Sequence, residues 1–107
     1  MISVLVVADR GEDLSELAGG DPSVEVLLAQ GAEEAVEKLA RNRRIDAVLL
    51  IPGKETEEIV SAIREDNPAP PPLFMGATEL PPPDGVRRLS EREPGRLITL
   101  VAASLES

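Results

Sequence analysis

The 107-residue chain contains no cysteine, histidine, tryptophan or tyrosine, and Phe74 is its sole aromatic side chain. Without cysteine there is no disulfide, no thiolate nucleophile and no cysteine-bound metal. Without histidine the side chain that moves protons near neutral pH and most often ligates zinc is gone as well. Positive charge is also scarce. Eleven basic residues stand against 20 acidic ones, a net charge of -9, and the resulting field repels a polyanion such as DNA or RNA. No apolar run approaches the roughly 20 residues of a membrane span. The opening MISVLVVADR has no basic segment ahead of its apolar one, as a secretory leader would. The expectation is a cytoplasmic protein with no direct nucleic acid contact and no membrane contact. The glycines follow neither the GxGxxG nor the GxxxxGK[ST] spacing, because the first apolar run leads into ADRGED. A nucleotide enzyme is disfavoured and no cofactor is expected.

What the chain does have is the composition of a folded domain: 42% hydrophobic and 29% charged residues, too apolar for a disordered segment. Its length fits a single domain over 1–107, able to bury roughly two-thirds of the unfolded chain's surface. Met1 reads as a natural start, and a last helix running to Ser107 fits an N-terminal domain cut from a longer protein.

Apolar runs of strand length alternate with stretches of helical period, the pattern of a parallel sheet covered by helices on both faces. Ile2 to Val7 is β-branched and nearly all apolar, as a central parallel strand should be. Leu14, Leu17 and Ala18 predict a short helix ending at Gly19-Gly20-Asp21-Pro22, and Val24 to Leu28 a second strand. Gly31 opens a helix whose Ala32, Ala35, Val36, Leu39 and Ala40 share one face, with Glu33, Glu34, Glu37 and Lys38 turned to water. Ile45 to Ile51 is a third strand. Ile59, Val60 and Ile63 mark a helix that stops before Asn67-Pro68. Leu73 to Met75 and Val86 to Leu89 are strands four and five, and Pro94 starts a helix through Leu97, Ile98, Val101 and Leu105.

One connection departs from the alternation. GATELPPPDG, between Met75 and Val86, holds three consecutive prolines, which cannot donate within a helix and favour an extended chain. A helix is therefore missing between strands four and five, or replaced by a proline-rich loop. Apolar side chains among Leu73, Phe74, Met75, Val86 and Leu89 would then face water unless that loop or another chain shields them. They are a possible interface for a homodimer or a protein partner.

This order of elements resembles the receiver domain of bacterial response regulators, the CheY-like family. VLVVADR is similar to the family's first strand, IDAVLLIPG to its third, LFMGA to its fourth and VRRLSER to its fifth. The resemblance implies an α/β fold of three layers, a doubly wound parallel five-stranded sheet in the order 2-1-3-4-5. It also implies a phosphorylation pocket, and here that pocket is degenerate. Ala8 stands where the first acid is expected and Asp9 remains as the second. Ile51 replaces the phosphoacceptor aspartate, Gly76 the Ser/Thr switch residue, and Glu91 the lysine, followed by Arg92 in place of its proline. In the family the acids hold Mg²⁺ and the aspartate accepts the phosphoryl group; isoleucine does neither. The expected function is a phosphorylation-independent pseudo-receiver in bacterial signal transduction or transcription regulation, a protein interaction or dimerisation module and not an enzyme. Two alternatives remain: an atypical receiver regulated by a small ligand at the old pocket, and a small enzyme using acids alone, Asp9 with Glu55 or Glu91.

On local chemistry, Asp9 reads as a helix cap more readily than as a cation ligand. Pro52-Gly53 suits a turn with proline second and glycine third, where positive φ is tolerated. Arg10, Lys54 and Arg92 are candidates to neutralise Asp9 or Glu91 at the same rim.

Overall fold

A computed structural model describes residues 2–11, 24–42, 44–79 and 81–106. The helix expected around Leu14, Leu17 and Ala18 lies outside the described residues. Five strands, β1 (Ile2–Ala8), β2 (Val24–Gln30), β3 (Ala47–Leu50), β4 (Leu73–Met75) and β5 (Val86–Arg88), form one sheet. Its order is β2-β1-β3-β4-β5 and every neighbouring pair is parallel. Three helices are described: α1 (Gly31–Arg41), α2 (Thr56–Asp66) and α3 (Pro94–Glu106). This is the doubly wound α/β fold that the alternation of the sequence predicts.

The two-residue period of each strand sorts its side chains between two cores. Val4, Val6 and Ala8 of β1, Ala47 and Leu49 of β3 and Phe74 of β4 pack with Leu97, Ile98 and Val101 of α3. On the other face Leu5, Val7, Val48, Leu50, Leu73, Met75 and Val86 pack with Ala35 of α1 and Ile59, Val60 and Ile63 of α2. A sheet buried on both faces needs strands that are apolar at every position, which is why β1 and β3 read as unbroken hydrophobic runs. Gly31 starts α1 at φ 82°, where a side chain is strained and a Cβ would meet the Arg10 side chain at 2.9 Å.

Residues 76–79 and 81–85 contain no helix, so the second face carries α1 and α2 but nothing of helical form over the β4–β5 connection. The expected outward apolar edge does not follow. Leu73, Phe74, Met75 and Val86 are all buried, and Leu89 is half-buried against the α3-side core. Phe74 sits in the core that α3 closes, while Leu73, Met75 and Val86 share theirs with α2. Arg64 of α2 donates to the Asp84 carbonyl and so ties the proline loop back to the helix. These side chains belong to the chain's own core. Among the described residues Leu100, 39% exposed, is the large hydrophobic side chain left outside.

The central strands carry the fold, so Leu49→Ala should lower the unfolding free energy by about 2–5 kcal/mol. Leu100→Ala on the outer side of α3 should change it by no more than about 0.5 kcal/mol. Urea denaturation of the two variants checks both values.

Candidate functional site

The carboxyl ends of the strands gather the residues singled out from the sequence, and they fall into two groups. The first joins the loop after β1 to the loop after β3. Asp9 Oδ2 accepts the Lys54 N–H at 2.8 Å and Oδ1 accepts the Glu55 N–H at 3.1 Å. In return Glu55 Oε2 accepts the Arg10 N–H at 2.7 Å, and the Arg10 guanidinium lies 3.7 Å from Glu55 Oε1. Lys54 and Glu55 lead into α2, whose N-cap residue makes no side-chain capping bond of its own. Asp9 therefore satisfies the amide of the N-cap residue Glu55 and that of Lys54 before it, with a carboxylate near the positive end of the helix dipole. Gly53 lies beneath it. A Cβ there would fall 2.6 Å from Asp9 Cγ, so only glycine leaves room for the carboxylate. Its φ is not positive, so the tolerance of positive φ that suited glycine to a turn here is not used.

The second group joins the loop after β4 to the one after β5. The Ala77 N–H donates to the Glu91 carbonyl at 2.9 Å, and the Gly76 N–H to the Leu50 carbonyl at 3.2 Å. A Cβ on Gly76 would meet Leu97 Cδ1 at 3.0 Å and Pro52 Cδ at 3.3 Å. Hydrocarbon stands close to this position from two sides. Ile51 is half-buried against the same α3-side core, and Ala8 is wholly buried in it. Glu91 Oε1 accepts the N–H groups of Arg92 and Glu93, each at 3.1 Å, just ahead of α3. Its other oxygen is 3.9 Å from Arg96. The amide of Glu93, then that of Arg92, holds the carboxyl below its ordinary value; the Arg96 charge adds to this and partial desolvation opposes it.

The expected rim ion pairs are rearranged. Arg10 pairs with Glu55 and Arg96 with Glu91, while Lys54 meets Asp9 through its backbone N–H. Arg96 was not singled out from sequence, although its place one helical turn beyond the Glu91–Glu93 stretch is the signal that could have found it. The residues present do not fit Mg²⁺. The side chains of Ala8 and Ile51 offer no donor atom, and both oxygens of Asp9 are engaged with backbone amides. Among the described residues no three acidic side chains are grouped to hold a metal ion, and no helix is long and apolar enough to cross a membrane.

No family model and no curated protein matches the chain. Its structure is similar to the crystal structure of a fragment of a "putative lipoprotein" from Peptoclostridium difficile 630. The TM-score is 0.60 at 13% identity, covering 98% of this chain and 99% of that one. At that identity the likeness shows the fold alone: a flavodoxin-like, CheY-like wound sheet.

Asp9→Ala should cost about 1–2 kcal/mol through the two orphaned amides. Gly53→Ala should cost about 1–3 kcal/mol in the native background by crowding, yet little once Asp9 is alanine; a double-mutant cycle in urea measures this coupling. For Glu91 the folded carboxyl titrates below its unfolded value. Its contribution is fully present above the unfolded value and is lost as pH falls through the folded one. Stability of Glu91→Gln should therefore fall less steeply in acid than that of the native chain, as followed by denaturation at stepped pH.

Proposed function

We propose that this chain is a pseudo-receiver: a response-regulator-like domain that has given up phosphoryl transfer and serves as a cytoplasmic protein interaction or dimerisation module in bacterial signalling or transcription control. The observation that carries the reading is the fate of the acidic pocket. The position that follows β3, where such a domain needs a nucleophilic carboxylate, holds Ile51, and Asp9, directly after β1, has both oxygens committed to the amides of Lys54 and Glu55. A nucleophile must be free and within reach of its substrate. Here the carboxylate is part of the scaffold.

The wound sheet supports this reading as a framework, although a fold of this kind hosts many functions. The substitutions add what the fold alone does not. Leu97, Pro52 and Ile51 occupy the pocket with hydrocarbon, and burial of such side chains adds stability where clustered carboxylates would repel one another. A domain so altered keeps its surfaces as its working parts. Its partner is a protein or a second copy of the chain, since the net charge of -9 opposes direct contact with nucleic acid.

Incubation with Mg²⁺ and acetyl phosphate should give no phosphorylated species by mass spectrometry. Titration with beryllofluoride should produce no saturable amide shifts at Asp9, Ile51 or Gly76. A phosphoryl adduct, or saturation at those amides, would overturn the reading.

A further inference from the structure

The place left by the absent helix is not sealed. Three adjoining clefts run around residues 76–79 at the carboxyl rim of the sheet, with volumes of about 300, 470 and 410 Å³. The first and second share Pro52, and Thr78 borders all three. They form one trough, open to solvent, with two unlike ends. At the first end Pro52, Pro81 and Pro83 present apolar surface over the buried Met75, and the charges beside them, Lys54 and Glu57, are of opposite sign. At the other end Arg88 and Arg92 line a cleft with Leu89 and Ser90 and no acidic residue. Glu79 stands between, on the middle cleft.

The basic end is unusual in a chain that carries -9. Two nearby arginines are occupied: Arg96 faces Glu91 and Glu93, and Arg64 donates to Asp84. Arg88 gives one N–H to the Thr78 carbonyl at 3.3 Å, which leaves most of its fork unused, and Arg92 makes no ion pair among the described residues. Arginine forks match carboxylates bidentately. Two such forks beside an apolar cleft call for a ligand that is acidic at one end and apolar at the other. An enclosed cavity would suit a small molecule; an open trough with walls stiffened by Pro81 and Pro83 suits an extended chain, held with little ordering of the receptor.

We infer that this trough binds an extended peptide segment of a partner protein, with an aliphatic side chain over Met75 and the prolines and glutamate or aspartate on Arg88 and Arg92. The inference rests on the interaction-module reading and names the chemistry of the partner. The probe is a synthetic decapeptide of alternating leucine and glutamate, titrated into isotopically labelled protein, with serine-for-leucine and lysine-for-glutamate peptides and octanoate as separate arms.

The expected result is saturable shifts at the Ala77, Thr78, Ser90 and Arg92 amides and the Met75 methyl with the leucine–glutamate peptide only. The combined Arg88→Glu and Arg92→Glu variant should bind roughly tenfold more weakly or worse, and added salt should weaken binding of the native chain. Circular dichroism shows whether that variant stays folded, which the exposure of both arginines favours. No binding overturns the inference. So does saturation by octanoate, which makes the occupant a small amphiphile. Shifts confined to α1 and α2 overturn the trough while leaving the domain an interaction module.

Discussion

The carboxylate of Asp9 crosses 45 and 46 positions of sequence to accept the amides of Lys54 and Glu55, and the carboxyl rim is arranged around that contact. It fixes the loop after β1 to the entry of α2, requires glycine at position 53 and commits both oxygens of the carboxylate to backbone donors. Glu55 returns the bond through Arg10, so the two loops hold each other. The opposite end of the same strands uses similar chemistry: Asp46 accepts the Ser3 amide at 2.8 Å and gives its own to the Ser3 carbonyl at 2.8 Å. β1 and β3 are thus clasped at both ends by aspartates, with an all-apolar interior between.

That arrangement makes the Asp9 carboxylate a structural joint. A cluster of free carboxylates is held together against its own repulsion and usually needs a cation. Neither Ala8 nor Ile51 adds a carboxylate beside Asp9, which is satisfied by backbone donors that need no ion. Leu97 and Pro52 pack against Gly76, so hydrocarbon lines that part of the rim.

Much of the fold was legible because it rests on local periodicity. β1 and β3 announce themselves as unbroken apolar runs, α1 and α2 by one apolar face each, and α3 by Pro94 followed by Leu97, Ile98 and Val101. The absence of a helix before β5 could be read from Pro81, Pro82 and Pro83. What was not legible depends on distance in sequence. Asp9 could be read as a cap, but not as the cap of a helix 45 residues away. Gly53 looked like a turn residue because nothing local reveals the carboxylate above it. The supposed outward face of Leu73, Phe74, Met75 and Val86 failed for a related reason: its covering comes from α2 and α3, whose placement the missing helix does not decide.

The central claim, that Asp9 is a structural clasp, is tested most directly by amide hydrogen exchange at Lys54 and Glu55. Both amides should be protected in the native chain and should lose that protection when Asp9 is replaced by alanine, while the amides of β1 and β3 keep theirs. Rapid exchange of the two amides in the native chain, or protection indifferent to the replacement, would contradict the account.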